Sequence, residues 1–423
     1  MSSHDGPNSP PDGPVAQGTL APMDDHMPTD DGLSRRSFLR ASALAGGGLV
    51  AASVAACAPA LAPAWTFTPA TSGTAAGGSS PGASASTGHD HGATPTTGGG
   101  ETATATSGTS GATASPGATA TIPAGWSQHD VDAKAAVDRF LAGEYTTLDE
   151  KIPNMPLAPT IDGSTKVFQL TVDEITHRTD AVSAPVAALG FNGTWTGPML
   201  RVTEGDRLRA TFQNNMHETT GIHFHGQALP NAMDGVPFIT QAPIVPGASF
   251  TYEFNAGPFG SHMYHSHHNA TDQVGRGLLG AFIVDPLDPK ERYDRKYGVT
   301  QEIIWISNDQ LGGFTINGRQ FPATAPIVAT RGEKVLVRFM NEGVMTHPWH
   351  LHGMHFQVLA RDGYPLGSAA FRCDTLGVNP GERYDVLIDC ENPGAWAFHC
   401  HILPHAEGIH GMFGMVTALV IQS

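Results

Sequence analysis

Basic residues are scarce: 23 Lys and Arg stand against 39 Asp and Glu, a formal net charge of -16. No stretch concentrates Lys or Arg, which argues against a nucleic-acid partner or an anionic-lipid surface. Large apolar residues are nearly missing from positions 58–122, which are mostly Ala, Thr, Gly, Ser and Pro. Such a segment buries too little surface to offset its ordering entropy, so a disordered tether is expected there. The small and apolar run at 41–56 is too short and too rich in Ala and Gly for a transmembrane helix. Cysteine is limited to Cys57, Cys373, Cys390 and Cys400, few enough to place one at a time.

What is present near the start is an address. Ser34-Arg35-Arg36-Ser37-Phe38-Leu39, followed by the 41–56 run, looks like a twin-arginine export signal, and Val54-Ala55-Ala56-Cys57 resembles a lipobox. Residues 1–56 therefore read as a lipoprotein-type signal and 57–122 as a linker. The expected location is the extracytoplasmic face, with a lipid anchor at Cys57, or free secretion if Cys57 is a chance cysteine. His89-Asp90-His91 in the linker reads as a solvated pair. Residues 123–163 form an arm with a short amphipathic helix (Val131, Ala135, Val137, Phe140, Leu141), expected to pack on the first domain. With Cys57 in the signal and Cys400 among histidines, Cys373 and Cys390 are left as a pair open to a disulfide in an exported chain, if geometry permits.

Beyond the arm the pattern is one of short alternating strands punctuated by Gly, Pro and Asn, which predicts an all-β fold of sandwiches. The strands come twice. Gly205-Asp206-Arg207-Leu208 matches Gly332-Glu333-Lys334-Val335 at an offset of 127, and so does His223-Phe224-His225-Gly226 against His350-Leu351-His352-Gly353. Pro246-Gly247 matches Pro380-Gly381 at an offset of 134, as does His265-Ser266-His267 against His399-Cys400-His401. Two constant offsets predict a tandem duplication, with domain 1 at 164–287 and domain 2 at 288–423.

Each copy carries two H-x-H pairs, so eight imidazoles come from four strand-like segments: His223 and His225, His265 and His267, His350 and His352, His399 and His401. On a strand, residues i and i+2 face the same way, so each pair offers two nitrogen donors to one side. Eight nitrogens are too many for one ion and suit a cluster of three. Imidazole alone does not choose among copper, zinc, iron and nickel; a thiolate (Cys400) with a nearby imidazole (His405) and a more distant thioether (Met412) selects copper electron transfer. Cys400 lies between His399 and His401 in sequence and opposite to them in facing, so one residue joins two metal sites. The first copy lacks this second site, with Ser266, Thr220 and Thr271 where the second has Cys400, His347 and His405.

The motifs G-I-H-F-H-G, M-Y-H-S-H, H-P-W-H-L-H-G and F-H-C-H-I-L-P-H resemble those of the multicopper oxidases, specifically the two-domain, small-laccase-like members, over about 167–421. The resemblance implies two tandem cupredoxin-like Greek-key β-sandwiches and about four coppers per chain. It implies a type 1 copper on His347, Cys400 and His405, a type 2 copper on His223 and His350, and a type 3 pair on His225, His265, His267, His352, His399 and His401. Gly411-Met412-Phe413-Gly414 looks like the family's axial-ligand segment displaced by two residues, which favours Met412, with His410 as competitor. Asp234, in Met233-Asp234-Gly235-Val236-Pro237, resembles an acid beside the cluster that relays protons; its alternative is a turn-forming Asp before Gly. Glu407 lies one residue from a second such position. His262, His268 and His355 fall outside the pattern, and Met345 and Met354 read as core, since no Met-rich insert is present.

The implied activity is laccase-like: one-electron oxidation of phenolic or metal-ion donors coupled to four-electron reduction of dioxygen to water. In two-domain relatives the cluster forms between the first domain of one subunit and the second of its neighbour, which implies a homotrimer. Two alternatives carry different chemistry, a copper nitrite reductase and a non-catalytic copper-binding or tolerance protein. The first places its type 1 copper in the first domain, opposite to the arrangement here.

Overall fold

The structure is a computed structural model and describes residues 122, 124–148, 153–310 and 312–423. The signal, Cys57 and the His89-Asp90-His91 pair lie outside the described residues.

The first sandwich pairs two sheets. One runs Thr160–Asp162, Thr165–His177, Arg207–Asn214, Ser249–Asn255, with Val186–Phe191 also on the long second strand. The other runs Leu200–Thr203, Leu279–Asp285, Gly260–Ser266, Ile222–His225. Arg207–Asn214 shows why these segments pair: Leu208, Ala210, Phe212 and Asn214 alternate with more exposed residues, so one face is apolar and closes on the opposite sheet. Between the sheets lies an aromatic core containing Phe191, Phe212, Phe224, Tyr252, Tyr264 and Phe282.

The second sandwich repeats the first. Gln301–Asn308, Lys334–Asn341 and Arg383–Asp389 pair in the same order and sense as Thr165–His177, Arg207–Asn214 and Ser249–Asn255: parallel, then antiparallel. Ile327–Thr330, Val416–Gln422, Gly394–Cys400 and His347–Leu351 likewise reproduce the order of the other sheet. Phe356–Arg361 extends the first sheet and Thr375–Val378 the second. Even the staples are copied. The buried Asn214 Nδ2 donates to Glu218 O at 2.8 Å and Ile244 O at 2.9 Å, and Asn341 Nδ2 donates to Met345 O and Val378 O, each at 2.8 Å. Each holds the loop that leads into an H-x-H strand.

The two sandwiches meet through an apolar layer (Met199, Met263, Leu279, Ile283 against Ile306, Met340) and a charged one. Arg338 of the second donates to Ser261 Oγ of the first at 2.9 Å, to Asp385 at 3.0 Å and to Glu302 at 2.6 Å. Arg201 of the first forks onto Asp285 and reaches Glu302 at 3.0 Å. Burial alone would raise Glu302, but Arg338 and Arg201 hold it down to about 2. Removing one member of such a buried set costs more than the set contributes, because the others lose their counter-charge.

The helix Gln128–Leu141 starts at a capping box between Ser127 and Asp130. Its packing differs from expectation. It lies on the second sandwich, where Ala136 and Phe140 meet Phe321, Ala406 and Val416, with the Phe140 and Phe321 rings 5.1 Å apart. The reason is an apolar face on that sandwich that its strands do not cover themselves. The arm after the helix reaches the first domain: Glu144 Oε1 accepts from Ala181 N at 3.2 Å, Leu157 N donates to Met199 O at 2.9 Å, and Thr160–Asp162 pairs with Thr165–His177. Cys373 and Cys390 are free thiols, the latter buried, so the disulfide left open by the sequence is not formed.

Candidate metal centre

Cys400 ends a strand that alternates faces. It pairs with Trp349 across the sheet while His399 pairs with His350, so the thiol points into the sandwich and the imidazoles point out. On the inner side Cys400 Sγ lies 3.7 Å from His347 Nδ1 and 3.6 Å from His405 Nδ1. All three residues are buried, and their donor atoms lie within 4.8 Å of one another. Two imidazole nitrogens and a thiol at this spacing suit a trigonal copper site. Burial pushes the Cys400 thiol up to about 11, so a bound metal has to displace its proton.

On the outer side four imidazoles gather: His350 to His352 at 4.8 Å between ring centroids, to His401 at 5.2 Å and to His399 at 5.6 Å. His352 Nε2 and His399 Nε2 stand 3.0 Å apart. The first sandwich builds the same quartet, with His223 at 5.6 to 5.8 Å from His225, His265 and His267. Backbone carbonyls set the tautomers in duplicate. His223 Nδ1 donates to Asp234 O at 2.7 Å and His350 Nδ1 to Asp374 O at 3.0 Å. His265 Nδ1 donates to Ser266 O at 2.9 Å and His399 Nδ1 to Cys400 O at 3.0 Å. Since a carbonyl only accepts, each of these four rings keeps its Nε2 lone pair for a metal. Burial, then Arg383, lowers His225 to about 3, and burial lowers His265 to about 4, so both are neutral donors at ordinary pH. Among the described residues, ring contacts join members of one quartet and none joins the two quartets.

Two models of the description "Multicopper oxidase" match the chain, at residues 172–289 and 293–422. The chain belongs to the multicopper oxidase family. Laccase-1 of Botryotinia fuckeliana is 30% identical over 293 residues, which cover 63% of this chain and 49% of that one. Copper resistance protein A of Escherichia coli is 35% identical over 296 residues, covering 56% and 48%. The chain thus spans about half the length of the curated relatives it matches. Among solved structures, the blue copper oxidase of Nitrosomonas europaea superposes with a TM-score of 0.58 at 31% identity, over 61% of this chain and 86% of that one. The multicopper oxidase mgLAC gives 0.57 at 34% identity, with the same coverage of 61% and 86%. A copper protein built of two tandem cupredoxin-like sandwiches follows from these matches.

Within this multicopper oxidase the remaining candidates are placed as follows. Asp234 sits beside the first quartet, its carboxylate 3.4 Å from His223 Nδ1 in addition to the carbonyl contact. Met412 lies on a short hairpin opposite Glu407, half-buried against the helix cluster. His410 is largely exposed and bonds Asp132 of the helix at 2.8 Å, away from the triad. Glu407 is exposed, with His129 of the helix 3.6 Å away.

Sequence reasoning missed two neighbours of the triad. Asp309 Oδ2 accepts from His347 Nε2 at 3.0 Å and is itself fixed by Val344 N at 2.9 Å and Met345 N at 2.8 Å. Phe314 stacks on His405 at 4.0 Å. Neither belongs to a repeated motif; an acid at the end of a strand before a loop is the only signal Asp309 gave. In the first sandwich the corresponding space holds no donor set. Thr220 Oγ1 and Ser266 Oγ both donate to Gln273 Oε1, at 2.9 and 2.6 Å.

Proposed function

We propose that this protein is a laccase-like oxidase that takes single electrons from a phenolic or low-valent metal donor and reduces dioxygen to water. The observation that carries the reading is the two-sided strand at Cys400, whose thiol belongs to a buried nitrogen–sulfur triad while both sequence neighbours belong to an outer imidazole quartet. Copper, when bound, supplies the one-electron chemistry and the binding of oxygen. His347, Cys400 and His405 would hold the type 1 ion, with Met412 as the distant thioether. His223 and His350 would hold the type 2 ion and the other six imidazoles the type 3 pair. The chain's own contribution is a short covalent path from Cys400 into His399 and His401, and an acid, Asp234, placed to deliver protons beside His223.

Four nitrogens per quartet fall short of a three-ion centre, so we assign the complete centre to the meeting of two copies in a homotrimer. We further assign the protein to the extracytoplasmic side, on the strength of the twin-arginine segment and Cys57. The test is oxygen uptake by copper-loaded protein with a panel of phenolic, ferrous and cuprous donors, beside a copper count. Cys400→Ser is expected to abolish uptake and the blue colour while most copper stays bound. A Cys400→Ser variant that consumes oxygen at the wild-type rate would end the proposal.

A further inference from the structure

We propose that Phe238 and Ile239 form a knob for a second copy of this chain, seating in the apolar groove between the Gln128–Leu141 helix and the Gly394–Cys400 strand of the neighbouring protomer. The inference rests on the reading that the oxygen-reducing centre is completed between copies.

The knob is a tied loop. Phe238 N donates to Gln241 O at 2.8 Å, Thr240 N to Val236 O at 2.9 Å, and Val236 N to Thr240 Oγ1 at 2.9 Å. Phe238 is held at φ +69°, in the left-handed region that bulky residues rarely occupy. The loop nevertheless presents Phe238 at 78% and Ile239 at 80% exposure. Two adjacent large apolar side chains on a fixed loop, set in water, mark a surface that another surface covers. Its location says which. The Phe238 ring lies 6.0 Å from that of His268, the residue after His267, and the loop's root at Asp234 holds His223. The knob therefore stands at the rim of the first quartet.

The groove stands at the rim of the second. Val137 and Phe140 of the helix form one wall, Phe321 and Val416 the floor, and Ala395 and Ala397 the other wall, around a cavity of about 260 Å³. Ala395 and Ala397 share a strand face with His399 by alternation, Ala397 about 7 Å along the strand from it. Ala397 O also accepts from His352 N at 3.0 Å. The lining is almost wholly apolar, and the volume falls below the roughly 300 to 1,000 Å³ of ordinary small-molecule sites, which favours a side chain over a soluble donor. Bringing the two quartets together brings knob and groove together in the same motion. Because the two surfaces differ, the contact is head-to-tail and needs ring closure, as a trimer provides.

The experiment uses the full-length, copper-loaded protein. Sedimentation and type 3 absorption are measured for wild type, for Phe238→Asp with Ile239→Asp, and for Ala397→Trp, which fills the groove. Wild type is expected to be trimeric. Both variants are expected to dissociate on the order of 100-fold more readily and to lose the type 3 signal while keeping the type 1 colour, whose ligands lie within one chain and report that it is folded. Ile239→Cys combined with Ala395→Cys is expected to give disulfide-linked trimers under oxidation. A knob variant that remains trimeric with full type 3 copper overturns the inference, as does one that only raises KM for the donor, which would make the groove a substrate site. A wild type that is monomeric with its full complement of copper overturns the shared-centre reading instead.

Discussion

Replacing Asp309 by Asn should raise the reduction potential of a copper held by His347, Cys400 and His405. The carboxylate accepts from His347 Nε2 at 3.0 Å, and neither side chain has exposed surface. A buried negative charge on the far side of a ligand imidazole increases its donor strength and favours the oxidised, more positive metal. With a separation of about 7 Å across the ring and an effective dielectric constant of about 20, the Coulomb term is about 2.4 kcal/mol. At 59 mV per tenfold change for one electron, this corresponds to a rise on the order of 100 mV. The substitution has a second cost. Asp309 accepts from Val344 N, Met345 N and His347, and an amide leaves one of these donors facing an NH2 group, at about 1 to 3 kcal/mol. Spectroelectrochemical titration of the blue band separates the two effects, since lost stability shifts the melting curve and not the midpoint potential. A variant that keeps its colour with an unchanged or lower potential would refute the argument.

Asp234→Asn leaves the backbone carbonyl on His223 in place, so copper content should be unchanged while oxygen turnover slows on the order of 100-fold; an unaltered rate and pH profile would remove Asp234 from proton delivery. Burial pushes Glu342 from 4.5 up to about 8, against a lowering by Arg383, and its Oε1 has no hydrogen-bond partner. The folded chain keeps a proton that the unfolded chain has released, so stability is fully present below about pH 4.5 and drains as pH rises toward 8. Glu342→Gln should accordingly melt higher than wild type at pH 8, by on the order of 1 kcal/mol or more, with the difference vanishing at pH 4; equal melting temperatures across that range would contradict the assignment. Phe140→Ala should weaken docking of the helix by about 3 kcal/mol, read as faster hydrogen exchange over Gln128–Leu141 with the blue colour retained.

The duplication was legible because it is written twice in one chain. Offsets of 127 and 134 locate strands that reappear with the same neighbours and the same sense. The facing of Cys400 against His399 and His401 was legible because a strand leaves side chains only two directions. Contacts between distant segments were not. Asp309 precedes His347 by 38 residues and shares no motif with it. The helix at Gln128–Leu141 shows an apolar stripe in sequence, but a stripe does not name its partner, and the uncovered face belonged to the second sandwich rather than the first. Where Met412 and His410 lie turned on a two-residue hairpin ladder, Glu407 with Met412 and Gly408 with Gly411, which sets Met412 against the helix cluster and His410 on Asp132 of the helix. Phe238 carries no mark in sequence of the backbone conformation that presents it.

The hydroxyls of Thr220 and Ser266 converge on a single glutamine, Gln273, fully enclosed in the first sandwich. That amide also donates from Nε2 to Thr219 O at 2.8 Å, so the pocket is knitted shut rather than left as a void. A thiol or an imidazole in place of either hydroxyl would take from the amide oxygen a donor it now accepts from, at a cost of about 1 to 3 kcal/mol. The first half is thereby closed to the nitrogen–sulfur donor set that the second half carries at His347, Cys400 and His405.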